Sequence, residues 1–488
     1  MIVLIFIAFF SSRLLLSTLG VEDYGVYSIV GSIAATFTAL KSLFSESVQR
    51  FLNVAKGRKN DSLQEQVAIF NTGIVIHIIL AVLFVVLVEA VGLWLLENKL
   101  SIPENRMGAA HFVFHVAVVS TAISILSIPY DALVVANEKM GFYALVGIID
   151  AVAKLGFIFL LPVIGLDYLK TYSALLLIIP VFNLSLQILY CKRFAECQYR
   201  LRIDKKIFKE VFNLSGWNFM GNISFSLLHE GINMILNIYG GVILNAARSV
   251  AYQMRVAVAQ LSNNTLVAVK PKAMQMSVSC EKQEYYKVIC MISRVSFMIL
   301  LVVVVPLIVY SDEILDIWLK EVPEHSVLFT RLVLLGILIR SLHGPIDMMN
   351  MAVGKIKRMM IIEAVVMLCF LVMIFVGLKI FDALWLPFAL LSLMEVFIVF
   401  CLVLNATHEI DFSGKYYFNH VALPCAVLMV VSTALGVLAY SFLKADTFVY
   451  LIAGISLLVI LVSLLCYLFM DENERMIVKS FVKRKKIK

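Results

Sequence analysis

Long apolar runs alternate with short polar segments along the whole chain. The apolar runs extend over about 18 residues or more and show no strict alternation of apolar and polar positions, which favours helices over the strands of a membrane barrel. The pattern therefore predicts an all-α polytopic membrane protein with about fourteen transmembrane helices. The predicted spans are residues 1–19, 24–46, 67–95, 109–135, 144–164, 171–189, 214–238, 242–268, 288–310, 327–348, 361–378, 383–405, 420–440 and 449–470.

Composition supports the same class. Of the 488 residues, 61% are hydrophobic and 15% are charged, whereas a soluble domain has about 45–50% apolar and about 25% charged residues. The cysteines form no CxxC pair, so we interpret them as reduced residues within the helix packing. The first residues lack a basic region and a cleavage site, which argues against a cleaved signal peptide. Because the chain opens inside its first predicted span, we expect a truncated or misassigned start.

Lysine and arginine are distributed unevenly among the loops, and their distribution predicts the orientation. One set of loops holds most of them, above all the segment 192–209 and the tail from residue 475. The other set holds only Lys99, Arg106, Lys170, Lys320, Lys379 and Lys444. Since Lys/Arg-rich loops stay on the cytoplasmic side, we predict that both termini are cytoplasmic. The net charge of +8 is then a topology signal, and we expect no nucleic-acid partner.

Two segments recur in the second half of the chain. Residues 20–30 (GVEDYGVYSIV) align without a gap with residues 241–251 (GVILNAARSVA). Pro129, Asp131 and Lys139 match Pro345, Asp347 and Lys355 at identical spacing. Internal repeats of this kind are typical of transporters built from two equivalent halves. In both copies of the first repeat, a small-residue turn opens a helix.

The repeats predict the domain organisation. A six-helix bundle covers residues 1–200, followed by a basic cytoplasmic linker to about residue 210. A second six-helix bundle covers 211–406, two extra helices cover 407–470, and a basic tail covers 471–488. In the middle stretch, Arg248 and Arg255 are seven residues apart and share one helix face. A cation at membrane depth costs about 2.5–3.5 kcal/mol on insertion scales, so this face should line protein or water.

Several motifs carry a family resemblance. They are residues 19–25 (LGVEDYG), 47–52 (SVQRFL), 216–217 (GW) with 237–247, and 314–319 (ILDIWL) with 322–323 (VP). Through them the chain resembles the O-antigen and capsule flippases, the polysaccharide-export branch of the multidrug/oligosaccharidyl-lipid/polysaccharide exporter superfamily. The resemblance implies two pseudo-symmetric six-helix bundles around a central cavity, plus two C-terminal helices. Lys270 and Lys272, which flank Pro271, depart from the family pattern.

The resemblance also implies a function. Such a protein is a flippase that moves an undecaprenyl-diphosphate-linked oligosaccharide, a repeat unit of O-antigen, capsule or exopolysaccharide, to the outer leaflet of the bacterial inner membrane by alternating access. It serves polysaccharide and lipopolysaccharide biosynthesis. The expected partners are this lipid, membrane lipids, an H⁺ or Na⁺ counter-ion and polysaccharide assembly proteins. We expect a transporter without a cofactor rather than an enzyme.

Two alternatives stay open. One is a cation-coupled multidrug antiporter of the same superfamily, which would favour an acidic and aromatic pocket. The other is a membrane polysaccharide polymerase or glycosyltransferase, although that class generally has a large outer loop and the predicted outer loops here are short. The chain contains no Gly-rich loop with GKS or GKT, so it does not hydrolyse ATP through such a site.

A flippase needs cations that hold phosphate within a polar cavity. Arginine is suited to this because its guanidinium makes paired hydrogen bonds with phosphate oxygens. The candidate cavity cations are Arg13, Lys41, Arg248, Arg255 and Arg340. Gln49 and Arg50 lie near the predicted cytoplasmic boundary, where a loading site for the same substrate is expected. For each of these cations, a structural salt bridge is the alternative interpretation.

Carboxylates within the spans are candidates for ion coupling, because a buried carboxylate can take up a proton or Na⁺. The candidates are Asp150, Glu230 and Glu363, although Asp150 has a partner four residues away in Lys154. Asp131 and Asp347 follow the repeated prolines, and we interpret them as caps or hinges. His111 and His115 have helical ligand spacing, but we see no accompanying Cys or carboxylate and predict no metal site.

Overall fold

The computed structural model describes residues 2–36, 48, 51–52, 55, 63–137, 139–199, 204–279, 281–319, 321–353, 356–381, 383–442, 447–472 and 474–475. Within these ranges all regular elements are helical. The helices are α1 (Ile2–Thr36), α2 (Leu63–Asn98), α3 (Glu104–Ala136), α4 (Met140–Ile164), α5 (Tyr168–Cys191), α6 (Lys205–Ser279), α7 (Lys282–Val309), α8 (Ser311–Trp318), α9 (Ser326–Arg340), α10 (His343–Val353), α11 (Ile356–Phe381), α12 (Leu386–Ile410), α13 (Gly414–Tyr417), α14 (Leu423–Phe442) and α15 (Phe448–Phe469). A π-helical turn, Phe418–Ala422, joins α13 to α14.

The helices confirm the predicted fold class. In the described part of the chain, eleven helices are long and apolar enough to cross a bilayer, from Leu63–Asn98 to Phe448–Phe469. They overlap the third to fourteenth predicted spans, because Ile223–Asn263 overlaps two of these spans. One of the eleven, Ser326–Asn350, combines α9 and α10 across a short turn. Large apolar side chains remain exposed on these helices, among them Val163 (80%) and Val449 (73%). Such faces are suited to lipid, so the chain is a multi-pass membrane protein.

Two helices contain a glycine with a non-helical backbone. Gly20 in α1 has φ 78° and ψ 170°, and Gly241 in α6 has φ 65° and ψ −166°. This combination is essentially restricted to glycine, because a Cβ makes it sterically unfavourable. The two glycines occupy the same position in the sequence repeat. The repeat therefore encodes the same backbone turn twice.

At Gly241 the chain folds back on itself. Arg248 donates a hydrogen bond to the carbonyl oxygen of His229 at 2.5 Å, although in a straight helix nineteen residues span about 28 Å. Asn245 likewise reaches the carbonyl oxygen of Asn233 at 2.8 Å. The helix α6 is thus a hairpin of two arms. These arms contain the separately predicted seventh and eighth spans.

The predicted tenth span differs from the observed structure. Instead of one helix over 327–348, the chain forms α9 and α10, separated by Ser341 and Leu342. Pro345 explains the break, since it has no N–H to donate to the carbonyl oxygen of Ser341. Proline is tolerated in the first turn of a helix, and Pro345 lies in the first turn of α10. Its repeat counterpart, Pro129, lies inside the continuous helix α3.

The chain folds into two compact units. The first comprises Met1–Ser249, Leu319–Glu324 and Met367–Leu384. In it, α3 packs against α2 and α5, and α1 packs against α3 and α4. Its core contains the fully buried side chains of Ile29, Ile33, Phe84, Phe114 and Val118. The core thereby joins the second part of α1 to α2 and α3.

The second unit comprises Val250–Trp318, His325–Val366 and Trp385–Lys488. In it, α9 packs on α12, and α7 packs on α9, α10, α14 and α15. The rings of Phe329 and Phe388 lie 4.1 Å apart in its core. Gly436 and Gly454 let α14 and α15 approach Val309 and Tyr310 closely, as small residues do between membrane helices. The predicted bundle boundaries at residues 200, 210 and 406 remain predictions.

The backbone angles of Gly20 and Gly241 lead to a stability prediction. Gly20→Ala and Gly241→Ala should each destabilise the protein by about 1–3 kcal/mol, because alanine is strained at this φ and ψ. Neither position has an atom within 4 Å of the added Cβ, so the cost would come from the backbone alone. The free energy of unfolding of each purified variant in detergent, compared with that of the wild type, measures this cost.

Gly31→Ala is the matched control. Residue 31 lies in the same helix as Gly20, also with open space around an added Cβ, and its φ is not positive. Alanine should stabilise that position by about 0.5–1 kcal/mol. Equal effects of the Gly20 and Gly31 substitutions would contradict the assigned turn.

Candidate functional site

A network of buried asparagine side chains connects the two arms of α6. The Asn237 side-chain amide donates to Oδ1 of Asn245 at 2.7 Å. The Asn245 amide donates to the Oδ1 and the backbone oxygen of Asn233, both at 2.8 Å. Asn237 also accepts the backbone N–H of Ser101 at 2.7 Å. In a membrane, unsatisfied polar groups are costly, so this network favours one defined hairpin.

The same network reaches the first repeat. Asn233 donates to the carbonyl oxygen of Ser28 at 3.4 Å, and the hydroxyl oxygens of Ser28 and Ser249 lie 2.5 Å apart. Ser28 and Ser249 are equivalent residues of the aligned repeats. Contact between equivalent residues is what a two-fold axis produces. Equivalent positions of the two repeats therefore contact each other at this serine pair.

Gly25 makes this contact possible. A Cβ at residue 25 would collide with the backbone carbonyl of Val242, so the arm of α1 that follows Gly20 lies directly against the turn of α6. Gly25 and Gly20 both belong to the LGVEDYG motif. The motif thus serves two purposes, since one glycine forms the turn and the other permits the close approach.

Two of the predicted cavity cations that the structure describes lie in the first unit. Arg248 is 5% exposed, is bonded to the His229 carbonyl and interacts electrostatically with the predicted coupling residue Glu230. Arg13 is half-buried in α1. Within the described part of the chain, no hydrogen bond or ion pair engages the Arg13 guanidinium. Arg13 therefore carries a charge that those residues do not neutralise.

Arg106 connects three segments of the first unit. Its guanidinium pairs with Asp23, in the arm after Gly20, and with Oδ2 of Asp167 at 2.9 Å, between α4 and α5. Partial burial tends to raise the pKa of Asp167, but the Lys170 backbone N–H and Arg106 outweigh it and lower that pKa below its ordinary value. Asp167 therefore stays ionised and holds the turn between α4 and α5 on Arg106, while Asp23 fixes the turn region of α1 to the same residue of α3.

The second unit contains another group of ionisable side chains. Arg340, the last residue of α9, donates to Oε1 of Glu395 on α12 at 3.1 Å. On α10, Nε2 of His343 lies 2.9 Å from Oδ2 of Asp347 and 3.3 Å from Oε1 of Glu363 on α11. The His343 side chain is 2% exposed and that of Glu363 is 12%. The predicted residues Arg340 and Glu363 thus belong to one unit and have acidic or imidazole partners.

The remaining predicted residues are dispersed. The guanidinium of Arg255 lies 5.5 Å from the centre of the Tyr252 ring, and the predicted Asp150–Lys154 pair is present at 3.1 Å. Lys41, Gln49 and Arg50 lie outside the described residues. Asp131 is hydrogen-bonded to Gln187 at 2.7 Å.

For His111 and His115, the expectation that no carboxylate accompanies them is wrong. They lie near Glu97 and Glu89, respectively. Because each histidine pairs with a different glutamate on α2, the two imidazoles do not share one acidic partner. The predicted absence of a metal site at this pair stays a prediction.

The sequence analysis missed His343 and interpreted Asp347 only as a cap or hinge. A signal was present, because residues i and i+4 share a helix face and His343 precedes Asp347 by four residues. Glu363 is twenty residues away on another helix, so its proximity required the tertiary structure. The arginine and asparagine pairs across the α6 hairpin were hidden for the same reason.

The similarity of the chain to known proteins lies in its structure. Neither a protein-family model nor a curated protein sequence matches the chain. Solved structures do match. A lipid II flippase, MurJ, in an inward closed conformation is similar with a TM-score of 0.70 and 16% identity, covering 100% of both chains. An inward-facing multidrug resistance MATE transporter of the MOP superfamily is similar with a TM-score of 0.64 and 12% identity, covering 84% of this chain and 94% of that one.

A third match is the MATE multidrug transporter DinF-BH, with a TM-score of 0.62, 14% identity, and coverage of 83% of this chain and 92% of that one. The chain has the fold of these membrane transporters. It is all-helical, as predicted, and its described part contains eleven helices long and apolar enough to cross a membrane. At such low identity, the likeness establishes the fold and not the cargo.

The asparagine network leads to a testable prediction. Asn245→Leu should lower the free energy of unfolding by about 1–3 kcal/mol, because it leaves buried polar groups of Asn233 and Asn237 without their partner. Asn98→Leu is the control, since Asn98 is exposed and, among the described residues, donates only to the Trp94 carbonyl oxygen in its own helix. Thermal unfolding in detergent compares them. An Asn245 variant as stable as the Asn98 variant would contradict the network.

Proposed function

We propose that the chain is a flippase for an undecaprenyl-diphosphate-linked oligosaccharide in the bacterial inner membrane. It moves this lipid from the cytoplasmic to the outer leaflet by alternating access, with both termini in the cytoplasm. The cargo is a repeat unit of a surface polysaccharide such as O-antigen or capsule. The Lys/Arg-rich loops support the orientation, and the family motifs support the cargo class.

One observation carries most of this proposal. The lipid II flippase structure matches the chain over 100% of its length, whereas the MATE structures cover 84% and 83% of it. The lipid flippase therefore accounts for the whole chain, including the part that the multidrug transporters leave unmatched. The arginines among the described residues also favour an anionic cargo.

The cargo has a hydrated sugar head and a diphosphate, both of which the bilayer core excludes. Arginine within the spans compensates for the lost hydration of the phosphates by charge-assisted hydrogen bonds. Arg13 is the best placed, because no described carboxylate neutralises it. We propose the same role in cargo binding for Arg248 and Arg255, and for Lys41, Gln49 and Arg50. Arg340 is a weaker candidate because it already binds Glu395.

Coupling to an ion gradient is the second part of the proposal. Uptake of H⁺ or Na⁺ by a carboxylate changes its charge and hence its pairing with nearby cations. Glu230 interacts with Arg248, so its neutralisation would release a cargo-binding cation. Glu363 contacts His343, and Asp150 contacts Lys154. Glu230 is the candidate that links ion and cargo most directly.

The serine pair provides a further argument for alternating access. Equivalent arms of the two repeats meet at Ser28 and Ser249, and such a symmetric contact closes one side of a two-fold transporter. Passage of a large sugar head on that side requires these arms to separate. The contact is therefore a gate within the proposed cycle.

A multidrug antiporter is the second candidate, supported by the similarity to the structures of MATE multidrug transporters. It would lower drug accumulation in cells and leave lipid-linked sugars unaffected. Drug accumulation with and without the protein separates the two candidates.

Deletion of the protein tests the proposed function. We expect undecaprenyl-linked repeat units to accumulate in the cytoplasmic leaflet and surface glycan to be lost. Complementation with Arg13→Ala should restore glycan at least about tenfold less efficiently than wild type, since a hydrogen bond to a charged group contributes about 1.5–3 kcal/mol.

Arg193→Ala is the control for that experiment. Arg193 is an exposed cation that stacks on Tyr190, and its loss should leave complementation unchanged. Normal surface glycan in the deletion strain would refute the function. Full complementation by Arg13→Ala would refute only the role of that residue.

A cross-link tests the gate. In a cysteine-free background, Ser28→Cys with Ser249→Cys should form a disulfide under mild oxidation, because the hydroxyl oxygens that the sulfurs replace lie 2.5 Å apart and the S–S bond is about 2.0 Å long. Glycan export should stop on oxidation and resume on reduction. Each single-cysteine variant serves as a control. Unchanged export by the cross-linked protein would rule out separation of the two arms.

A further inference from the structure

Three potential metal ligands converge in the second unit. The His343 imidazole, the Asp347 carboxylate and the Glu363 carboxylate each offer one ligand atom, and these atoms all lie within 4.8 Å of one another. They come from two helices, α10 and α11. The proposed flippase cycle includes Glu363 as a coupling candidate but assigns no role to His343 or Asp347.

The charge of this cluster is unbalanced. Arg340 lies within electrostatic range of Asp347, Glu363 and Glu395, and its guanidinium is hydrogen-bonded to Glu395. Among the described residues, the three carboxylates and one guanidinium leave two uncompensated negative charges when the imidazole is neutral and one when it is protonated. Buried charge without a counter-charge is costly. A divalent cation, or two protons, would balance it.

One oxygen of the cluster is available for a further ligand. Oδ1 of Asp347 is buried and has no hydrogen-bond partner among the described residues. The Asp347 side chain as a whole is 23% accessible, in contrast to 2% for His343. A cation can therefore approach from the Asp347 side, and a water molecule can occupy its remaining position.

The donor set and the distances select a class of ion. Tetrahedral zinc has bonds of about 2.0–2.2 Å, which separates neighbouring ligand atoms by about 3.3–3.5 Å. Nε2 of His343 lies 3.3 Å from Glu363 and 2.9 Å from Asp347, so a small outward movement accommodates the metal. Ca²⁺ and Mg²⁺ prefer shells of oxygen ligands, whereas imidazole suits zinc and similar transition metals.

We propose that His343, Asp347 and Glu363 form a binding site for a divalent transition metal of the zinc class. Three protein ligands leave the fourth position to water. Because the ligands bind metal only when they are deprotonated, metal and protons compete at this site. The proposal departs from the expectation of no metal and does not depend on the identity of the cargo.

Metal binding to the purified full-length protein tests the site. The protein, isolated in detergent with a histidine-free tag, is titrated with Co²⁺ and then with Zn²⁺. We expect one Co²⁺ per chain, with the visible absorption of a low-coordinate site, displaced by Zn²⁺. Affinity should decrease as the pH falls, because protons occupy the ligands.

Variants assign the ligands. His343→Gln and Glu363→Gln should each weaken Co²⁺ binding at least about 100-fold, since even partners outside the ligand shell contribute about 10–100-fold. His77→Gln is the control, because His77 is also buried but bonds to the Gly73 carbonyl in the other unit. If a variant does not fold, the wild-type titration alone decides. Absence of low-coordinate Co²⁺ in the wild type, or equal binding in both folded variants, would overturn the site and leave the flippase proposal intact.

Discussion

The backbone turn at Gly20 and Gly241 is the constraint on which the rest of the structure depends. Both glycines adopt positive φ with extended ψ, a conformation that other residues rarely adopt. At Gly241 the turn brings Asn245 and Arg248 back to the preceding arm. The asparagine network, the placement of Arg248 and the contact between Ser28 and Ser249 all follow from this reversal.

The pairing of charged side chains at membrane depth is explained by the low polarity of their surroundings. A charge at membrane depth needs a partner or a wet surface, and most of the described charges there have partners, as Arg340 and Asp150 do. Arg13 lacks one among the described residues, and in the same part of the chain the carboxylates around His343 outnumber the cations. The two exceptions have opposite sign. An anionic cargo suits the first and a cation suits the second, so they belong to different tasks.

The sequence predicted most of the helices but not the contacts between them. Apolar length predicted the spans because the bilayer fixes the length of a helix, and the repeat predicted equivalent turns because glycine is the residue that fits them. The break between α9 and α10 was missed, since Pro129 at the equivalent position leaves α3 intact. Glu363 was recognised as an unusual carboxylate, but its histidine partner on another helix was not. Such pairs depend on how helices pack, which one-dimensional patterns do not contain.

Reconstitution of the purified protein in vesicles tests the central claim most directly. An undecaprenyl-diphosphate-linked oligosaccharide in the membrane and a cationic dye in the lumen are followed in the same preparation, the lipid by enzymatic attack on its exposed sugar and the dye by fluorescence. The account predicts that the protein accelerates transfer of the glycolipid between leaflets and leaves the dye in place. Transport of the dye without transfer of the glycolipid would contradict it.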